Sequence, residues 1–447
     1  MSACSDEEDF STSSSCLLTI SNDTVSFDTV LTTIGSSTKR VVVYNNNDNG
    51  VRAKSVRLTS GGTSGFRINV DGISGPYAEN IEILGNDSIF MFVDINAPTQ
   101  NSNVPKEITD TILFSLESGV QQYIILSAYG QDVNILQGKV YKNGENAVMD
   151  SNTPYLILDS LKVEEGATLT INAGTTLYLH SKSYIIVEGK LIVNGNETQP
   201  VTFKGDRTDK MFPYLPYDRI DGQWGGLRFT ESSTENQISY ADIHGGDNAI
   251  TCEESGVDKC KLTILNSVIH NFNGYGLTST NNKLVLKDTQ ISNAKYDCIR
   301  LIGGDYDFDQ CTIAQFSALH SERGYAFYCW NYYLSEDGDT VSCPLNVNIK
   351  NTILTGYGKD ELAVCMPYTK ADLVLSISRS LLNSDTTGMR RYISMNIDNC
   401  LFESEDNAAY KAKNFKTIDT HNYIYDFHLD SLSLAFGKNG ERNLGAW

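Results

Sequence analysis

Ile264-Leu-Asn-Ser267-Val-Ile269 and Leu286-Lys-Asp-Thr289-Gln-Ile291 are two copies of a six-residue phrase that decides the fold of this chain. The phrase reads apolar, any, polar, small, any, apolar. Its small residue stands at positions 241, 267, 289, 311, 352, 380 and 400, which gives spacings of 26, 22, 22, 41, 28 and 20. The interval of 41 fits one turn with a large insertion or two turns with one degenerate phrase. A repeat near 22 residues with β-type alternation on each side indicates a β-solenoid.

A single turn of this repeat cannot be stable by itself. Ordering its residues costs roughly 1–2 kcal/mol each. Burying about half a dozen aliphatic side chains returns only about 1.5–3 kcal/mol apiece. Turns are therefore stable only when they stack, and we expect the small residues to form one inward column in a shared core.

The charge of the chain restricts its partners. The 447 residues carry a formal net charge of −20, which opposes contact with phosphate backbones and with anionic lipid surfaces. The sequence also lacks a run of 18 apolar residues that would span a bilayer. We expect no nucleic-acid partner, and membrane association only through a lipid anchor.

Residues 1–16 lack apolar periodicity and are predicted to be a disordered tether. Ser2-Ala-Cys4 is followed by Ser-Asp-Glu-Glu-Asp9. This stretch resembles the end of a lipoprotein signal peptide joined to the acidic export signal of Bacteroidota surface lipoproteins. The resemblance implies acylation of Cys4 and a lipid-anchored position at the cell surface, on the outer membrane. The alternative is an acidic disordered N-terminus with an accidental cysteine.

Residues 17–132 show short alternating strands separated by turn clusters such as Asn45–Gly50. Six or seven strands in this length predict a β-sandwich of the immunoglobulin-like type. The segment resembles Hydin-type immunoglobulin-like domains, which implies a spacer or cap without catalytic residues. The residues that carry the resemblance are Phe27-Asp-Thr-Val30, Tyr44-Asn-Asn and Leu126-Ser-Ala-Tyr-Gly-Gln131.

From residue 133 onward the sequence pattern changes to short apolar segments that end at or contain glycine. Examples are Leu169-Thr-Ile-Asn-Ala-Gly174, Ile185-Ile-Val-Glu-Gly189 and Gly222-Gln-Trp-Gly-Gly226. It resembles the opening rungs of right-handed parallel β-helix proteins of the pectin-lyase-like superfamily, in the form common among Bacteroidota surface proteins. The resemblance implies an all-β protein in which a right-handed parallel β-helix occupies residues 133–447. The tail from Tyr425 resembles the closing segment of that family, and we expect it to cap the last turn.

Ten cysteines raise the question of disulfides. Cys252 and Cys260, like Cys329 and Cys343, bracket short polar segments, so both pairs are candidates for local disulfides in an oxidising compartment, and at least one disulfide is predicted. A fully reduced chain is the alternative.

No catalytic constellation is visible in the sequence. The residue after the small position is Asp242, Val268, Gln290 or Thr312 in successive turns, which gives no column of acids for a lyase or a paired-carboxylate hydrolase. Asp305, Asp307 and Asp309 are interpreted as surface residues that flank an inward Tyr306 and Phe308.

Two histidines share one phase of the repeat. His244 and His270 each follow the phrase directly, so we expect them to stack on adjacent turns. A two-histidine metal site and a general base are the functional alternatives for this pair. The next turns offer no third ligand at this phase, which favours a solvent-facing corner pair. We therefore predict no metal site and no cofactor.

Two insertions interrupt the rungs, at 206–221 and 323–343. Aromatic rings in such loops can stack on sugars or anchor protein partners, so these rings are the predicted binding residues. A loop that buries its own rings is the alternative. The predicted binding residues are Tyr214, Tyr217, Tyr325, Tyr328, Trp330, Tyr332 and Tyr333.

Together these observations predict a non-catalytic, adhesin-like surface lipoprotein that binds glycan or an outer-membrane protein through loops on a β-helix. A polysaccharide lyase or glycoside hydrolase on the same fold is one alternative. A structural subunit of an outer-membrane nutrient-uptake complex is another.

Overall fold

The computed structural model describes residues 9–335, 337–364, 372–384, 394–403, 414–438 and 442–446. The chain divides into two compact units, Met1–Val133 and Asn134–Trp447. Within the described residues, regular structure is almost entirely β, and the helical element is the 3-10 turn Tyr217–Arg219. No helix in these ranges has the length and apolar character needed to cross a bilayer.

The first unit is the predicted β-sandwich, built from two five-stranded sheets. Within each sheet neighbouring strands are antiparallel, except that Thr24–Leu31 runs parallel to Gln121–Gln131. Along Lys106–Leu116 buried and more exposed residues alternate, so one face of that strand enters the core. In spatial order, the first sheet contains Thr19–Ile20, Lys39–Asn45, Asp87–Ile95, Phe66–Val70 and Ile73–Ser74. The second sheet contains Thr24–Leu31, Gln121–Gln131, Lys106–Leu116, Val51–Leu58 and Tyr77–Ile83.

Part of the predicted tether lies against this sandwich. Phe10 forms a bridge to Gly50, and the guanidinium carbon of Arg52 lies 4.3 Å from the centre of the Phe10 ring. A Cβ atom at Gly50 would lie 2.8 Å from two ring carbons, so the glycine makes room for the ring. These contacts attach Phe10 to the sandwich, and the disordered tether stays a prediction. Cys4, the predicted acylation site, lies outside the described residues.

The second unit is a parallel β-helix with three long sheets of eleven, nine and ten strands, here called sheets 1, 2 and 3. Each turn contributes one strand to each sheet in that order, and strands of successive turns pair in parallel. Sheet 1 contains Asn134–Gln137, Tyr155–Leu158, Thr176–Leu179, Val201–Gly205, Ala241–His244, Val268–Phe272, Gln290–Ala294, Thr312–Gln315, Ile353–Gly356, Leu381–Leu382 and Leu401–Phe402. Sheet 2 contains Val140–Tyr141, Ser160–Val163, Tyr184–Val187, Gly226–Phe229, Ile250–Cys252, Leu277–Thr280, Ile299–Ile302, Phe327–Trp330 and Leu362–Val364.

Sheet 3 and three hairpins complete the unit. Sheet 3 contains Asn146–Met149, Thr168–Asn172, Lys190–Asn194, Asn236–Ser239, Gly256–Leu265, Asn282–Lys287, Gly304–Asp309, Leu345–Lys350, Leu373–Ser378 and Ser394–Asp398. The hairpins pair Lys210–Phe212 with Leu215–Pro216, Tyr332–Leu334 with Thr340–Ser342, and Phe415–Asp419 with Ile424–Leu429.

The repeated phrase forms the corner between sheet 3 and sheet 1. The residue before each small residue has a positive φ, for example 48° at Asn266 and 51° at Asn351, so the chain turns sharply there. The predicted burial of the small residues is confirmed from Ala241 to Ser380, while Cys400 is only half-buried.

A hydroxyl in the small position links neighbouring turns. Thr352 Oγ1 donates to Lys350 O at 2.7 Å and accepts from the Cys311 amide at 3.2 Å. A small hydroxyl side chain thus satisfies two backbone groups that the tight corner leaves free of the sheet ladder.

The interval of 41 residues is one turn with an insertion. Gly304–Asp309 pairs directly with Leu345–Lys350, and Thr312–Gln315 pairs with Ile353–Gly356. The extra residues form two connections, 316–326 between sheets 1 and 2 and 331–344 between sheets 2 and 3.

The three aspartates of the strand Gly304–Asp309 face outward, as predicted, while Tyr306 and Phe308 are buried. Asp305 Oδ1 accepts a hydrogen bond from Asn346 Nδ2 at 2.9 Å on the next turn. These carboxylates thus take part in a polar ladder on the surface of sheet 3.

Neither of the two candidate disulfides, Cys252–Cys260 and Cys329–Cys343, is present among the described residues. Cys252 and Cys329 are inward residues of their sheet 2 strands and pack in the solenoid core. Cys260 instead lies in sheet 3, with Sγ 3.5 Å from Thr263 Oγ1. Cys343 lies at the following corner, near Ile302 O. The two thiols of each pair thus lie in different elements of the β-helix.

The described residues of the tail lie against the outer face of sheet 1, including its late turns at Leu381 and Leu401. Gly445 N donates to Asn351 O at 2.9 Å, and Ala446 N donates to Thr312 Oγ1 at 3.0 Å. Late turns of sheet 1 present apolar side chains outward, and the tail covers them. The resulting cluster contains Ala314, Phe316, Ile353, Leu381, Phe415, Phe427, Leu429, Ala435 and Leu444.

Candidate functional site

Earlier turns of sheet 1 carry polar residues on the same outer face. In Ala241–His244, Ala241 and Ile243 point into the core, so Asp242 and His244 point outward. The next strand pairs His270 with His244. Their ring centroids are 4.8 Å apart with an interplanar angle of 22°, which confirms that the two histidines stack on adjacent turns.

Two carboxylates bracket these rings. Asp242 Oδ1 lies 2.9 Å from His244 Nδ1 and 3.3 Å from His270 Nε2. Asp218 Oδ1, from the insertion 206–221, lies 3.4 Å from His244 Nε2 and 3.0 Å from Lys204 Nζ. We call Lys204, Asp218, Asp242, His244 and His270 the Asp-His cluster.

The interpretation of a solvent-facing corner pair is wrong for His244, whose side chain is 5% exposed. The third group at this site is Asp242, two residues before His244 on the same face of one strand. The sequence analysis compared residues at the same position in successive turns. A comparison of residues two positions apart on one strand, which lie on the same face, would have found Asp242.

The carboxylates determine the charge of the cluster. Burial lowers the pKa of His244, but hydrogen bonding to Asp218 and Asp242 outweighs burial and raises this pKa to about 9. Hydrogen bonding to His244 holds the pKa of Asp218 well below its ordinary value of 3.8. Burial raises the pKa of Asp242, but the two histidines outweigh it and hold this pKa well below its ordinary value. Both carboxylates are therefore ionised at neutral pH around a protonated His244.

A cleft of about 430 Å³ opens beside His270. One wall is the outer face of sheet 1, a second is the 3-10 turn with Asp218, and the third is the tail segment Tyr423–His428. The insertion and the tail touch across it, because Arg219 Nη1 donates to Asn422 O at 3.2 Å. This volume is in the range of small-ligand pockets.

A second group of side chains lies on the outer face of sheet 2. Tyr328 and Trp330 are the outward residues of Phe327–Trp330, and Arg300 pairs with Tyr328 on the preceding turn. The Arg300 guanidinium carbon lies 4.2 Å from the ring centre of Tyr275 and 5.6 Å from those of Tyr328 and Trp330. We call the following set the aromatic patch: Tyr275, Tyr296, Arg300, Tyr325, Tyr328 and Trp330.

The rings of the patch form a continuous surface. Ring centroids are 5.1 Å apart for Tyr275 and Tyr296, and 5.0 Å apart for Tyr328 and Trp330. The Tyr325 centroid lies 5.6 Å from that of Tyr328, and Arg300 links the two groups through its contacts with Tyr275 and Tyr328. Tyr296 is 46% exposed and Tyr325 is 41% exposed, so ring surface is available to a ligand.

Asp297 fixes this arrangement from beneath. Its carboxylate accepts from Arg300 Nε at 2.7 Å and from the backbone amide of Tyr325 at 2.9 Å. Burial raises the pKa of Asp297 in spite of these partners. A second cleft of about 430 Å³ begins at Tyr325 and contains Arg323, whose guanidinium carbon lies 5.1 Å from the Tyr357 ring centre.

The structure separates the seven predicted binding residues into three groups. Tyr325, Tyr328 and Trp330 belong to the aromatic patch. Tyr332 and Tyr333 lie in the hairpin between sheets 2 and 3, where the Tyr333 hydroxyl donates to Glu254 Oε2 at 3.2 Å.

Tyr214 and Tyr217 lie at the corner between sheets 1 and 2. The Tyr214 ring stacks on His421 of the tail with a centroid distance of 6.5 Å, and the Arg207 guanidinium carbon lies 3.9 Å from the Tyr217 ring centre. The insertion 206–221 thus forms a wall of the histidine cleft.

The sequence reasoning missed Tyr275, Tyr296 and Arg300. The available signal was positional, since Tyr275, Tyr296 and Tyr325 each precede a sheet 2 strand by two or three residues in successive turns.

Comparison with known proteins agrees with the strand pairing. Residues 139–256 match the family model described as a pectate-lyase-like beta helix domain. Among curated proteins no significant match was found. The chain is therefore an all-β protein that joins a β-sandwich to a parallel β-helix, and part of that β-helix is similar to the pectate-lyase-like domain.

Solved structures give only distant likenesses. The catalytic domain of a GH87 α-1,3-glucanase in complex with tetrasaccharides is 8% identical, with 82% of this chain and 88% of that chain covered and a TM-score of 0.17. Dex49A from Penicillium minioluteum is 8% identical, with 82% of each chain covered and a TM-score of 0.14. The PapD-like domain 7 of human CEP192 is 10% identical, with 26% of this chain and 87% of that chain covered and a TM-score of 0.19. At such TM-scores these likenesses carry no functional argument.

Proposed function

We propose that this chain is a cell-surface glycan-binding protein that holds a polysaccharide against the aromatic patch of its β-helix. The patch is the observation that carries the proposal. Aromatic rings with one exposed face present flat apolar area on which the C–H face of a sugar ring can pack. Arg300 lies at the centre of the patch and can donate hydrogen bonds to sugar hydroxyl groups.

The patch is built before a ligand arrives. Tyr328 and Trp330 stand on a strand whose backbone is paired on both sides, with Ile299–Ile302 and with Leu362–Val364. Asp297 holds both Arg300 and the backbone of Tyr325. Little conformational entropy is then lost on binding, which favours affinity for a weakly interacting ligand such as a sugar chain.

The Asp-His cluster supports binding rather than hydrolysis. Hydrolysis by two carboxyl groups needs one protonated acid beside one ionised base or nucleophile. Asp218 and Asp242 both have pKa values below the ordinary range, so neither retains a proton at neutral pH. This favours binding over two-carboxylate hydrolysis at the Asp-His cluster.

In this proposal the sandwich and the N-terminal segment have the roles expected in a surface protein. The sandwich serves as a spacer, and acylation of Cys4 attaches the chain to the outer membrane. A protein partner in an uptake complex would use the same exposed rings, so a glycan array separates the two kinds of ligand.

The test is a glycan array with the purified chain, followed by calorimetric titration of the best polysaccharide. Trp330→Ala and Tyr296→Ala should each weaken binding, with melting temperature nearly unchanged. Tyr123→Ala is the matched control, because that tyrosine is 61% exposed on the sandwich. The proposal fails if no glycan binds, or if patch variants bind as tightly as the control.

A further inference from the structure

We propose that Asp242, His244 and His270 form a binding site for a divalent transition metal, with Zn²⁺ the ion that fits best. One oxygen and two imidazole nitrogens from these residues lie within 4.8 Å of one another. The site lies on sheet 1 and is independent of the aromatic patch on sheet 2.

Two of the three separations between the ligand atoms are close to those found around a small ion. Asp242 Oδ1 is 2.9 Å from His244 Nδ1 and 3.3 Å from His270 Nε2. Zinc binds nitrogen and oxygen at about 2.0–2.2 Å, which places tetrahedral ligands about 3.4 Å apart. The two rings are stacked, so binding of one ion requires them to rotate until both lone pairs point at it.

The second nitrogen of His244 provides independent support. His244 Nε2 faces Asp218 Oδ1 at 3.4 Å, and Asp218 is paired in turn with Lys204. Metal-binding histidines characteristically donate their other N–H to a carboxylate, which fixes the tautomer and the ring plane. Asp218 is thus a positioning residue that leaves Nδ1 free to bind the ion.

The scaffold under the site is rigid. His244 and His270 are paired in register on adjacent strands, and the fully buried Trp224 donates from Nε1 to His244 O at 2.8 Å. A metal site needs ligands held by such packing, because loosely held ligands lose affinity.

The choice of ion and the access route follow from the same residues. Two imidazoles and one carboxylate favour zinc over calcium or magnesium, which prefer all-oxygen ligands. The His270 side chain is 26% exposed at the cleft beside Tyr423–His428, so an ion can enter there. A fourth ligand position would face this cleft and could accept water or an oxygen atom of a ligand.

A proton competes with the metal ion for His244 Nδ1. In the absence of metal, a protonated His244 between Asp218 and Asp242 balances the charge of the two carboxylates. Metal and proton therefore exclude each other at His244 Nδ1, and a direct titration with metal decides between them.

The test uses the full chain after treatment with a chelator, titrated with ZnCl₂ in a calorimeter. We expect one tight zinc per chain, and Co²⁺ bound in its place should give visible absorption bands of a low-coordinate site. Asp242→Asn and His270→Gln should each lower zinc affinity by more than about 100-fold, and Asp218→Asn by about 10–100-fold.

His180→Ala is the matched control, since His180 Nδ1 also contacts a carboxylate, Asp206, at 2.5 Å. The control should bind zinc like the unaltered chain. Circular dichroism checks that each variant is folded. If Asp242→Asn does not fold, His270→Gln decides, because that side chain lies at the cleft. Absence of stoichiometric zinc binding, or equal binding by His270→Gln and the control, overturns the proposal.

Discussion

His244 and His270 occupy equivalent positions in adjacent turns, and their rings both contact the same oxygen atom, Oδ1 of Asp242. Stacking of turns thus brings together two residues separated by a full repeat. This contact creates a charged cluster on the outer face of sheet 1. In later turns the same face is apolar, and the tail covers it.

The charge of His244 should make stability depend on pH in metal-free protein. The pKa of His244 rises from an ordinary 6.5 to about 9 on folding, so protonation stabilises the folded state. The stabilisation is complete below pH 6.5 and is lost as pH rises through 9, with a size on the order of 1–3 kcal/mol.

Urea unfolding in the presence of EDTA, at pH values on either side of this window, measures the effect. His244→Gln should reduce the difference between the two values, and the part that remains comes from other groups, such as the buried thiol of Cys252 with its raised pKa. A variant with the same pH dependence as the unaltered chain would contradict the assignment to His244.

Removal of the carboxylate beneath the aromatic patch should affect both stability and binding. Asp297→Ala leaves the Tyr325 amide and the Arg300 side chain without their acceptor. We expect a loss of about 1–3 kcal/mol in the free energy of unfolding and weaker glycan binding. Urea unfolding and calorimetry measure the two effects. Glu79→Ala, on the sandwich, is the control and should change neither, whereas unchanged glycan affinity in Asp297→Ala would show that Asp297 does not position the patch.

The column of small hydroxyl residues should contribute to the stacking of turns. Thr352→Val keeps the shape of the buried side chain but leaves the Cys311 amide without its acceptor, Thr352 Oγ1. A cost of about 1–3 kcal/mol is expected by urea unfolding. Thr278→Val is the control, because Thr278 is an outward, half-buried residue of sheet 2. Equal stability of the two variants would mean that the corner hydroxyl adds nothing.

The two candidate cysteine pairs should not be joined by disulfide bonds. Alkylation of the denatured chain without reductant should modify Cys252, Cys260, Cys329 and Cys343, as read by mass spectrometry of peptides. In the native chain Cys252 should react far more slowly, because burial raises the pKa of its thiol to about 12. A disulfide-linked peptide in the unreduced digest would refute this prediction.

The sequence by itself predicted the architecture, because the interactions that define a solenoid are local and repeated. Each turn carries its own corner residue with positive φ, its own small buried residue and its own alternating strands. The same phase placed His244 beside His270. The β-sandwich likewise followed from short alternating strands that bury one face.

Only the tertiary structure decided what surrounds those histidines. Asp218 belongs to an insertion, and the segment Tyr423–His428 belongs to a tail about 200 residues further along the chain, yet both line one cleft. The insertion and the tail are not periodic, so the repeat does not specify where they lie. Their positions depend on which outer-face residues of sheet 1 are apolar and on contacts such as that of Arg219 with Asn422. Such contacts form only after the solenoid has stacked, which is why the repeat predicted the scaffold and not the cleft.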